Sequence, residues 1–258
     1  MIKILVTGST GQLGLTLQEQ AENFLDGSFD FKASEELDIT KLKELEKIFQ
    51  KGKYDFCINC AAYTNVEQAE KHPEEAFKVN AEGAKNLAAI CKAHKATLIH
   101  ISTDYVFDGE KETPYTVEDQ PNPINEYGRS KLAGEKFIQQ ILPNHHIIRT
   151  SWLYSKKYGH NFYRTIVKKA LAGKGLHITD AQKGCPTNTE TLASFILEEI
   201  VLGKKPFGVY HFTDGKPMTW YEFAQYILEE KGLKGKVNLV LDSNYRTFAK
   251  RPKNSVLS

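Results

Sequence analysis

The sequence has little of several features that mark specialised classes of protein. It contains four cysteines in 258 residues, too few and too scattered for the disulfide framework of a small secreted domain. Its 34 Lys and Arg residues nearly balance 32 Asp and Glu residues, for a net charge of +2. Such a balance does not favour nucleic acid or an anionic membrane surface as a partner. No apolar run approaches the length of a membrane span.

The amino terminus also lacks a targeting signal. Met1 to Val6 enter an apolar strand pattern at once, without the charged region, longer apolar stretch and cleavage site of a signal peptide. We therefore expect a cytoplasmic protein. With 41% hydrophobic and 26% charged residues, the composition is that of an ordinary folded protein acting on a small or locally charged substrate.

Apolar strand-like runs alternate with amphipathic helical stretches through the first 150 residues. This alternation is typical of a doubly wound parallel sheet, the Rossmann-type α/β fold, with helices on both faces. The predicted strands are 3–7, 29–32, 55–60, 97–102 and 145–150.

After residue 150 the pattern loosens, and no flexible linker marks a boundary. We predict helices near 161–172 and 188–202 and a short strand around 176–179. Thr219 and Glu222 have the spacing of a capping box, so a further helix should begin there. A ligand is expected in the cleft between the two parts, outside the carboxyl ends of the strands.

A glycine pattern follows the first strand and opens a helix: Gly8, Gly11 and Gly14, spaced G-x-x-G-x-x-G. Glycines there permit a tight turn and let the backbone approach a pyrophosphate, while the helix N-terminus offers free N–H groups to the phosphates. We therefore predict a dinucleotide-binding domain and a smaller, interwoven substrate-binding lobe. The domain comprises 1–152 with 188–213, and the lobe comprises 153–187 with 214–258.

A second signal is Tyr127 with Lys131 at the start of a predicted helix. Four residues apart, the two side chains share one face, where an ammonium could favour the phenolate of a tyrosine. Alone, this pair is commonplace surface packing. It gains weight from Thr103, at the carboxyl end of a predicted strand, whose hydroxyl could bond the same substrate oxygen; a simple turn cap is the alternative for Thr103.

With these residues the chain resembles the extended short-chain dehydrogenases/reductases and, more closely, the dTDP-4-dehydrorhamnose reductases. The resemblance runs over nearly the whole length. The matching stretches are 11–14, 59–64, 102–107, 127–135, 149–154, 184–187 and 251–255. Members of this family usually continue past the last of these into a further helix, whereas this sequence ends at Ser258, so contacts made by such a tail are not predicted.

The resemblance implies a reaction and catalytic roles. NADPH or NADH would deliver a hydride to the C4 carbonyl of dTDP-4-dehydro-L-rhamnose, giving dTDP-L-rhamnose. Tyr127 would donate the proton, Lys131 would support it by charge and bind the nicotinamide ribose, and Thr103 would polarise the carbonyl. Cofactor contacts are expected from Gly8, Thr10, Gly11, Gln12, Leu13, Gly14, Asp38, Ile39, Ala61, Ala62, Tyr63, Asn80, Ser102, Tyr127 and Lys131.

The substrate is expected to meet Val66, Thr103, Asp104, Tyr105 and Trp152. A buried tryptophan is more often core than ligand contact, so the assignment of Trp152 depends on the resemblance. Asn161 and Phe162 are further candidates, although capping of a helix is a sufficient reason for Asn161.

Cofactor preference and metal dependence are less sharply marked. No acidic residue directly follows the second strand to grip a ribose 2′-hydroxyl, and Lys32 and Ser34 could accommodate a 2′-phosphate, which favours NADPH, with NADH also accepted. Some relatives use magnesium at a dimer contact, but no carboxylate cluster can be assigned to it, and Cys57 with Cys60 lack a second ligand pair for zinc. We predict no metal site.

Three alternatives stay open. A nucleotide-sugar dehydratase or epimerase shares the scaffold, although the dehydratases carry Asp-Glu after the active-site threonine, where this chain has Asp104-Tyr105. The regulatory subunit of methionine adenosyltransferase resembles the same group and acts as a binding partner. The oligomeric state, monomer or homodimer, is not decided by the sequence.

Overall fold

The central element of the computed structural model, which describes residues 1–203 and 205–258, is a sheet of six parallel strands. The strands along the chain are β1 (Ile2–Thr7), β2 (Gly27–Lys32), β3 (Phe56–Asn59), β4 (Thr97–Thr103), β5 (His145–Thr150), β6 (Leu153–Tyr154), β7 (Leu176–Ile178), β8 (Lys183–Gly184), β9 (Thr187–Asn188), β10 (Gly208–His211), β11 (Met218–Thr219) and β12 (Leu239–Leu241). The spatial order in the central sheet is β10-β5-β4-β3-β1-β2. The remaining six form three small two-stranded sheets.

Helices connect the strands and cover both faces of the sheet. They are α1 (Gln12–Ala21), α2 (Leu42–Gly52), α3 (Val66–Lys71), α4 (Pro73–Phe77), α5 (Ala84–His94), α6 (Glu126–Ile141), α7 (Phe162–Leu171), α8 (Thr189–Ser194) and α9 (Trp220–Glu230). A π-helical segment, Lys78–Gly83, joins α4 to α5, and a second one, Phe195–Val201, extends α8. In the described part of the chain, no helix is both long and apolar enough to cross a membrane.

Alternate residues of the central strands feed two separate cores. On one face, Leu5, Leu98 and Ile147 pack with buried residues of α2, α5 and α6. On the other, Ile4 and Ile99 pack with α1, α8 and its π-helical extension. Because side chains alternate between the faces of a strand, strands that are buried on both sides are apolar throughout, as the sequence predicts.

A third core lies outside the sheet. Tyr163 and Ile166 of α7 pack with Phe223 and Ile227 of α9 and with Leu176 of β7. The helix α9 begins where the sequence predicts, because Thr219 and Glu222 form the reciprocal hydrogen bonds of a capping box.

The structure confirms the predicted α/β fold class and adds elements that the sequence prediction omits. The sixth strand, β10, is half-buried and only four residues long, so it lacks the apolar run that marks the inner strands. The short strands β8 and β9 are not among the predicted elements. The predicted 188–202 helix is α8 followed by the π-helical turn.

The helix α6 lies unusually close to its neighbours. A Cβ atom at Gly128 would stand 2.1 Å from the carbonyl oxygen of Tyr105, and one at Gly134 would stand 2.2 Å from that of Asn80. Both distances are below any real contact, so glycine is required at these two positions. The same helix carries Tyr127 and Lys131, whose placement therefore depends on this packing.

Gly134→Ala tests the close approach. The added methyl must push α6 away from the backbone of Asn80, so we expect a loss of about 1–3 kcal/mol in the free energy of unfolding. Gln139→Ala, on the exposed face of the same helix, should change it by less than about 0.5 kcal/mol. Urea denaturation of both variants measures the difference, and equal stabilities would contradict the account.

Candidate active site

The glycine loop after β1 is shaped by contacts with its own helix and with the residues after β3. Gly8 has φ of +66°, and a Cβ atom on it would lie 2.5 Å from the backbone nitrogen of Ala61. A Cβ on Gly14 would lie 2.6 Å from the carbonyl oxygen of Gly8. The backbone of α1 begins here with Gly11 as its N-cap, so its free N–H groups and positive dipole end face the crevice at the switch in strand order between β1 and β3.

Two cavities lie along this crevice and share Gly11, Cys60 and Ala62 in their walls. The first, of about 440 Å³, is lined by predicted site residues from distant parts of the chain. They are Gly11, Gln12, Leu13, Gly14, Ala62, Ser102, Thr103, Asp104, Tyr127, Lys131 and Trp152. The second, of about 330 Å³, is lined by Gly8, Thr10, Gly11, Asp38, Ile39, Ala61, Ala62 and Tyr63 among others. Together the cavities form one elongated groove.

Thr103 and Tyr127 meet at the wall of the larger cavity. The Thr103 hydroxyl donates to Asp104 Oδ1 at 2.9 Å and accepts from the backbone N–H of Tyr105 at 3.1 Å. Burial raises the pKa of Tyr127, and a hydrogen bond with Thr103 opposes the rise. The tyrosine therefore keeps its proton at neutral pH and is equipped to act as an acid.

Lys131 is almost fully enclosed, with 2% of its surface exposed. Its Nζ donates to the carbonyl oxygen of Ile101 at 2.6 Å and lies 3.3 Å from His100 Nε2. Burial lowers the pKa of Lys131 to about 8, although Glu135 and Cys60 oppose the change. The ammonium of Lys131 is expected from the sequence to act on Tyr127, but in this structure burial is the main influence on the pKa of Tyr127.

Asp104 is the most perturbed carboxyl group of the cavity. It is 2% exposed, and its Oδ2 has no hydrogen-bond partner in the described part of the chain. Burial raises its pKa to about 7. Asp104 therefore lines the cavity as a buried carboxyl group that holds its proton more tightly than an exposed aspartate does.

Trp152 forms a flat apolar wall of the larger cavity. Its ring stacks on Trp220 with centroids 3.5 Å apart and an angle of 4° between the planes. Its backbone has φ of +48°, an uncommon conformation for a side chain of this size. A Cβ atom on Gly184 would lie 2.7 Å from the indole, so the ring also packs closely against this glycine, and strain accompanies its position.

Several predicted site residues line neither cavity, although two of them contact residues that do. Asn80 is 1% exposed and holds both the N–H and the carbonyl of Tyr63. Tyr105 packs edge-on against Tyr127, and its hydroxyl accepts from Arg251 at 3.1 Å. Val66 is the first residue of α3 and lines neither cavity.

Of the remaining candidates, Phe162 and Asn161 contact other residues of the site, and Asp38 lines a cavity. Phe162 packs against Trp220, with ring centroids 4.6 Å apart. Asn161 caps α7 and donates to Gln12 Oε1 at 3.1 Å, so it fixes a wall residue. Asp38 lines the smaller cavity and also accepts from the backbone N–H of Thr40 at 2.9 Å, so it fixes the turn that precedes α2.

The loop after β6 also contributes to the site, although the sequence does not predict it. Gly159 and His160 line the larger cavity because Gln12 is bound to this loop. Gln12 donates to the carbonyl oxygen of Leu153 at 3.0 Å and accepts from the N–H of Ser155 at 3.2 Å. These contacts join residues more than 140 positions apart, and no local pattern in the sequence reports them.

Among residues 1–203 and 205–258, no three His, Cys, Asp or Glu side chains are grouped so that they could hold a metal ion. The four cysteines are free thiols. Cys57 and Cys60 have the spacing of a metal or redox pair, but Cys57 lies within β3 and Cys60 directly follows it. Burial raises the pKa of Cys60.

Asp104→Asn tests the electrostatics of the cavity. The folded protein holds a proton on Asp104 up to about pH 7, whereas an unfolded chain releases it near pH 4, so the stability of the native protein falls as pH rises between these values. Asparagine removes this dependence. Between pH 5 and pH 8, the free energy of unfolding of the native protein, measured by urea denaturation, should fall by about 2–3 kcal/mol relative to that of the variant. A difference that is the same at both pH values would contradict the assignment.

Comparison with known proteins places this site in a family. The profile of the family described as RmlD substrate binding domain matches residues 2–258. The chain is 37% identical to the dTDP-4-dehydrorhamnose reductase of Aggregatibacter actinomycetemcomitans, covering 100% of this chain and 90% of the relative.

Solved structures agree with the sequence comparison. The crystal structure of a dTDP-4-dehydrorhamnose reductase from Clostridium acetobutylicum is 38% identical with a TM-score of 0.93, covering 100% of this chain and 90% of that one. The Bacillus anthracis enzyme in complex with NADP is 35% identical with a TM-score of 0.94, covering 100% and 91%. The chain therefore belongs to the RmlD family.

Proposed function

We propose that the chain is an NADPH-dependent dTDP-4-dehydrorhamnose reductase, which reduces the C4 keto group of dTDP-4-dehydro-L-rhamnose to give dTDP-L-rhamnose. One observation carries the proposal: Thr103 and Tyr127 face one cavity that continues into the glycine loop. The names of the full-length relatives supply the substrate.

The groove fits a dinucleotide. Gly8 and Gly14 leave free the space that Cβ atoms would fill, and the N-terminus of α1 faces it. The smaller cavity, between Asp38, Ile39 and Tyr63, suits the adenosine end. The nicotinamide end then belongs in the larger cavity beside Lys131, where the cofactor supplies the hydride.

The protein's own contribution is a proton and a fixed geometry. Tyr127 keeps its proton at neutral pH because its hydroxyl is buried, and it gives that proton to the oxygen at C4 as the carbonyl is reduced. When the substrate binds, the Thr103 hydroxyl still accepts from the N–H of Tyr105 but turns its one proton from Asp104 Oδ1 to the same substrate oxygen, where it stabilises the developing charge. Lys131 binds the nicotinamide ribose, and Asp104 and Trp152 contact the sugar.

NADPH is the preferred cofactor in this proposal, with NADH also accepted. The Bacillus anthracis relative binds NADP. Ser34 lines the smaller cavity, and Lys32 lies at the end of β2, where its ammonium pairs with Asp30 at 2.8 Å. That existing ion pair reduces the attraction available to a 2′-phosphate, which supports tolerance of NADH.

We propose that one part of the chain binds the cofactor and the other binds the substrate, because the two parts have separate hydrophobic cores. Residues 1–152 with 188–213 build the sheet, its two helical layers and the dinucleotide groove. Residues 153–187 with 214–258 contain the third core, with α7 and α9, and form the substrate-binding lobe. Trp152, stacked on Trp220, lies at the boundary between them.

The rival activities fit this site less well. A dehydratase needs an additional acid and base beside Tyr127, but the residue after Asp104 is Tyr105, whose hydroxyl is occupied by Arg251. A purely regulatory role would not require the buried ammonium and hydroxyl groups of Lys131, Tyr127 and Thr103, whose burial costs stability.

Tyr127→Phe should abolish the proposed reaction. Without the proton donor, turnover should fall by about 10²- to 10⁴-fold, while the affinity for NADPH stays close to that of the native protein. Loss of nicotinamide absorbance with dTDP-4-dehydro-L-rhamnose measures turnover, and fluorescence of bound NADPH measures affinity. Tyr226→Phe, on the exposed face of α9 at 41% exposure, is the matched control and should keep full activity.

Two outcomes would overturn the proposal. If the native protein binds NADPH but oxidises none with this substrate, the chain either has a regulatory function or reduces a different keto sugar. If Tyr127→Phe retains full turnover, the reaction occurs but its proton comes from another group.

Activity should not depend on a divalent metal ion. The described residues contain no metal-binding cluster, and the proposed chemistry needs only a hydride and a proton. We expect turnover with NADPH to be unchanged after dialysis against EDTA. Loss of activity on that treatment and recovery with magnesium would show a metal requirement that this account lacks.

A further inference from the structure

A row of three polar side chains crosses the buried face of the sheet beneath Lys131. Thr7 of β1, Asn59 of β3 and His100 of β4 are in register on neighbouring strands, and each is 1% exposed or less. The Thr7 hydroxyl donates to Asn59 Oδ1 at 2.7 Å, and Asn59 Nδ2 lies 3.0 Å from His100 Nδ1. The row ends at Lys131 Nζ, 3.3 Å from His100 Nε2.

The backbone fixes the orientation of this row. The N–H of Ala61 donates to Asn59 Oδ1 at 3.1 Å. A backbone N–H can only donate, so this end of the Asn59 amide is its oxygen and the other end is its NH₂ group. That NH₂ group donates to His100 Nδ1, which must then be an acceptor without a proton.

The imidazole of His100 therefore carries its proton on Nε2. Burial, together with the nearby Lys131, holds the pKa of His100 well below its usual range, so the ring is neutral and has one N–H group. With Nδ1 occupied by Asn59, that single N–H points at Lys131.

An ammonium group cannot accept this hydrogen bond. A charged Lys131 has three N–H groups and no lone pair, whereas the uncharged amine has a lone pair for the His100 proton and still donates to Ile101. The contact at 3.3 Å is thus favourable only in the uncharged state of the lysine.

We propose that His100 is a positioning residue that donates its Nε2–H to the uncharged amine of Lys131 and so sets the pH at which Lys131 loses its charge. The tautomer follows from the geometry alone. The consequence for catalysis rests on the proposed function, in which the ammonium of Lys131 supports Tyr127 and the cofactor.

The other groups around Lys131 act in opposing directions. Glu135, one turn further along α6, and Cys60, after β3, favour the ammonium, and burial opposes it. The charge of Glu135 is largely compensated by Arg149 of β5, whose Nη2 lies 2.7 Å from its carboxylate. His100, from β4, faces Lys131 with its Nε2–H group. This donor favours the uncharged amine over the ammonium.

The tautomer can be measured directly in the cofactor-free protein. Nitrogen-15 NMR of the histidine rings, with the His100 signals identified by their loss in His100→Gln, should show a protonated Nε2 and a bare Nδ1 from pH 6 to pH 9. A proton on Nδ1 instead would overturn the proposal.

The effect on Lys131 needs a second readout. Carbon-13 NMR of the lysine Cε atoms, with Lys131 identified by its absence in Lys131→Met, should show one lysine titrating near pH 8. In His100→Gln the amide can turn its oxygen towards the ammonium, so Lys131 should become a roughly tenfold weaker acid. The basic limb of kcat/KM should move to higher pH by the same factor.

His146→Gln is the matched control. His146 is a second buried histidine, 2% exposed on β5, and its ring packs on Phe207 and Tyr210. This variant should leave the titration of Lys131 unchanged. If His100→Gln, shown to be folded by thermal unfolding, also leaves it unchanged, the proposal is wrong. Because both NMR readouts use the protein without cofactor or substrate, they can succeed even if the proposed reductase activity is absent.

Discussion

The site depends on the close contact between α6 and the sheet. Lys131 and Glu135 of this helix are 2% and 1% exposed, and burying such groups is unfavourable unless each finds partners. Glu135 pairs with Arg149 and Ser102, and Lys131 donates to the backbone of β4. Since those partners are fixed on strands, the helix has one position along the sheet, and Tyr127 is placed beside Thr103 as a result.

The sequence predicts those parts of the fold that local patterns encode. The inner strands are apolar because both of their faces are covered, and the glycines after β1 are spaced as the phosphate loop requires. Tyr127 and Lys131 are separated by one helical turn. These features need no knowledge of distant contacts, and the structure brings Thr103, Tyr127 and Lys131 to one cavity.

What the sequence does not predict comes from long-range contacts. The short edge strand β10 has no apolar run, and the His160 loop reaches the cavity through Gln12. The part played by His100 is likewise hidden, although a polar residue among Leu98, Ile99 and Ile101 is a signal. The tautomer of His100 depends on which atom of the Asn59 amide faces the ring, and the backbone N–H of Ala61 fixes that orientation. Tertiary hydrogen bonds, rather than propensity, set the electrostatics of the site.

In the proposed reaction, Tyr127 and Thr103 act on one substrate oxygen. A crystal structure of Tyr127→Phe with NADPH and dTDP-4-dehydro-L-rhamnose would show this arrangement, because the variant traps the unreacted complex. The account predicts the C4 oxygen within about 2.6–3.2 Å of Thr103 Oγ1 and beside the Cζ–H of the new phenylalanine, with the nicotinamide over C4. A sugar that is ordered in the cavity with its C4 oxygen directed away from both side chains would contradict the account.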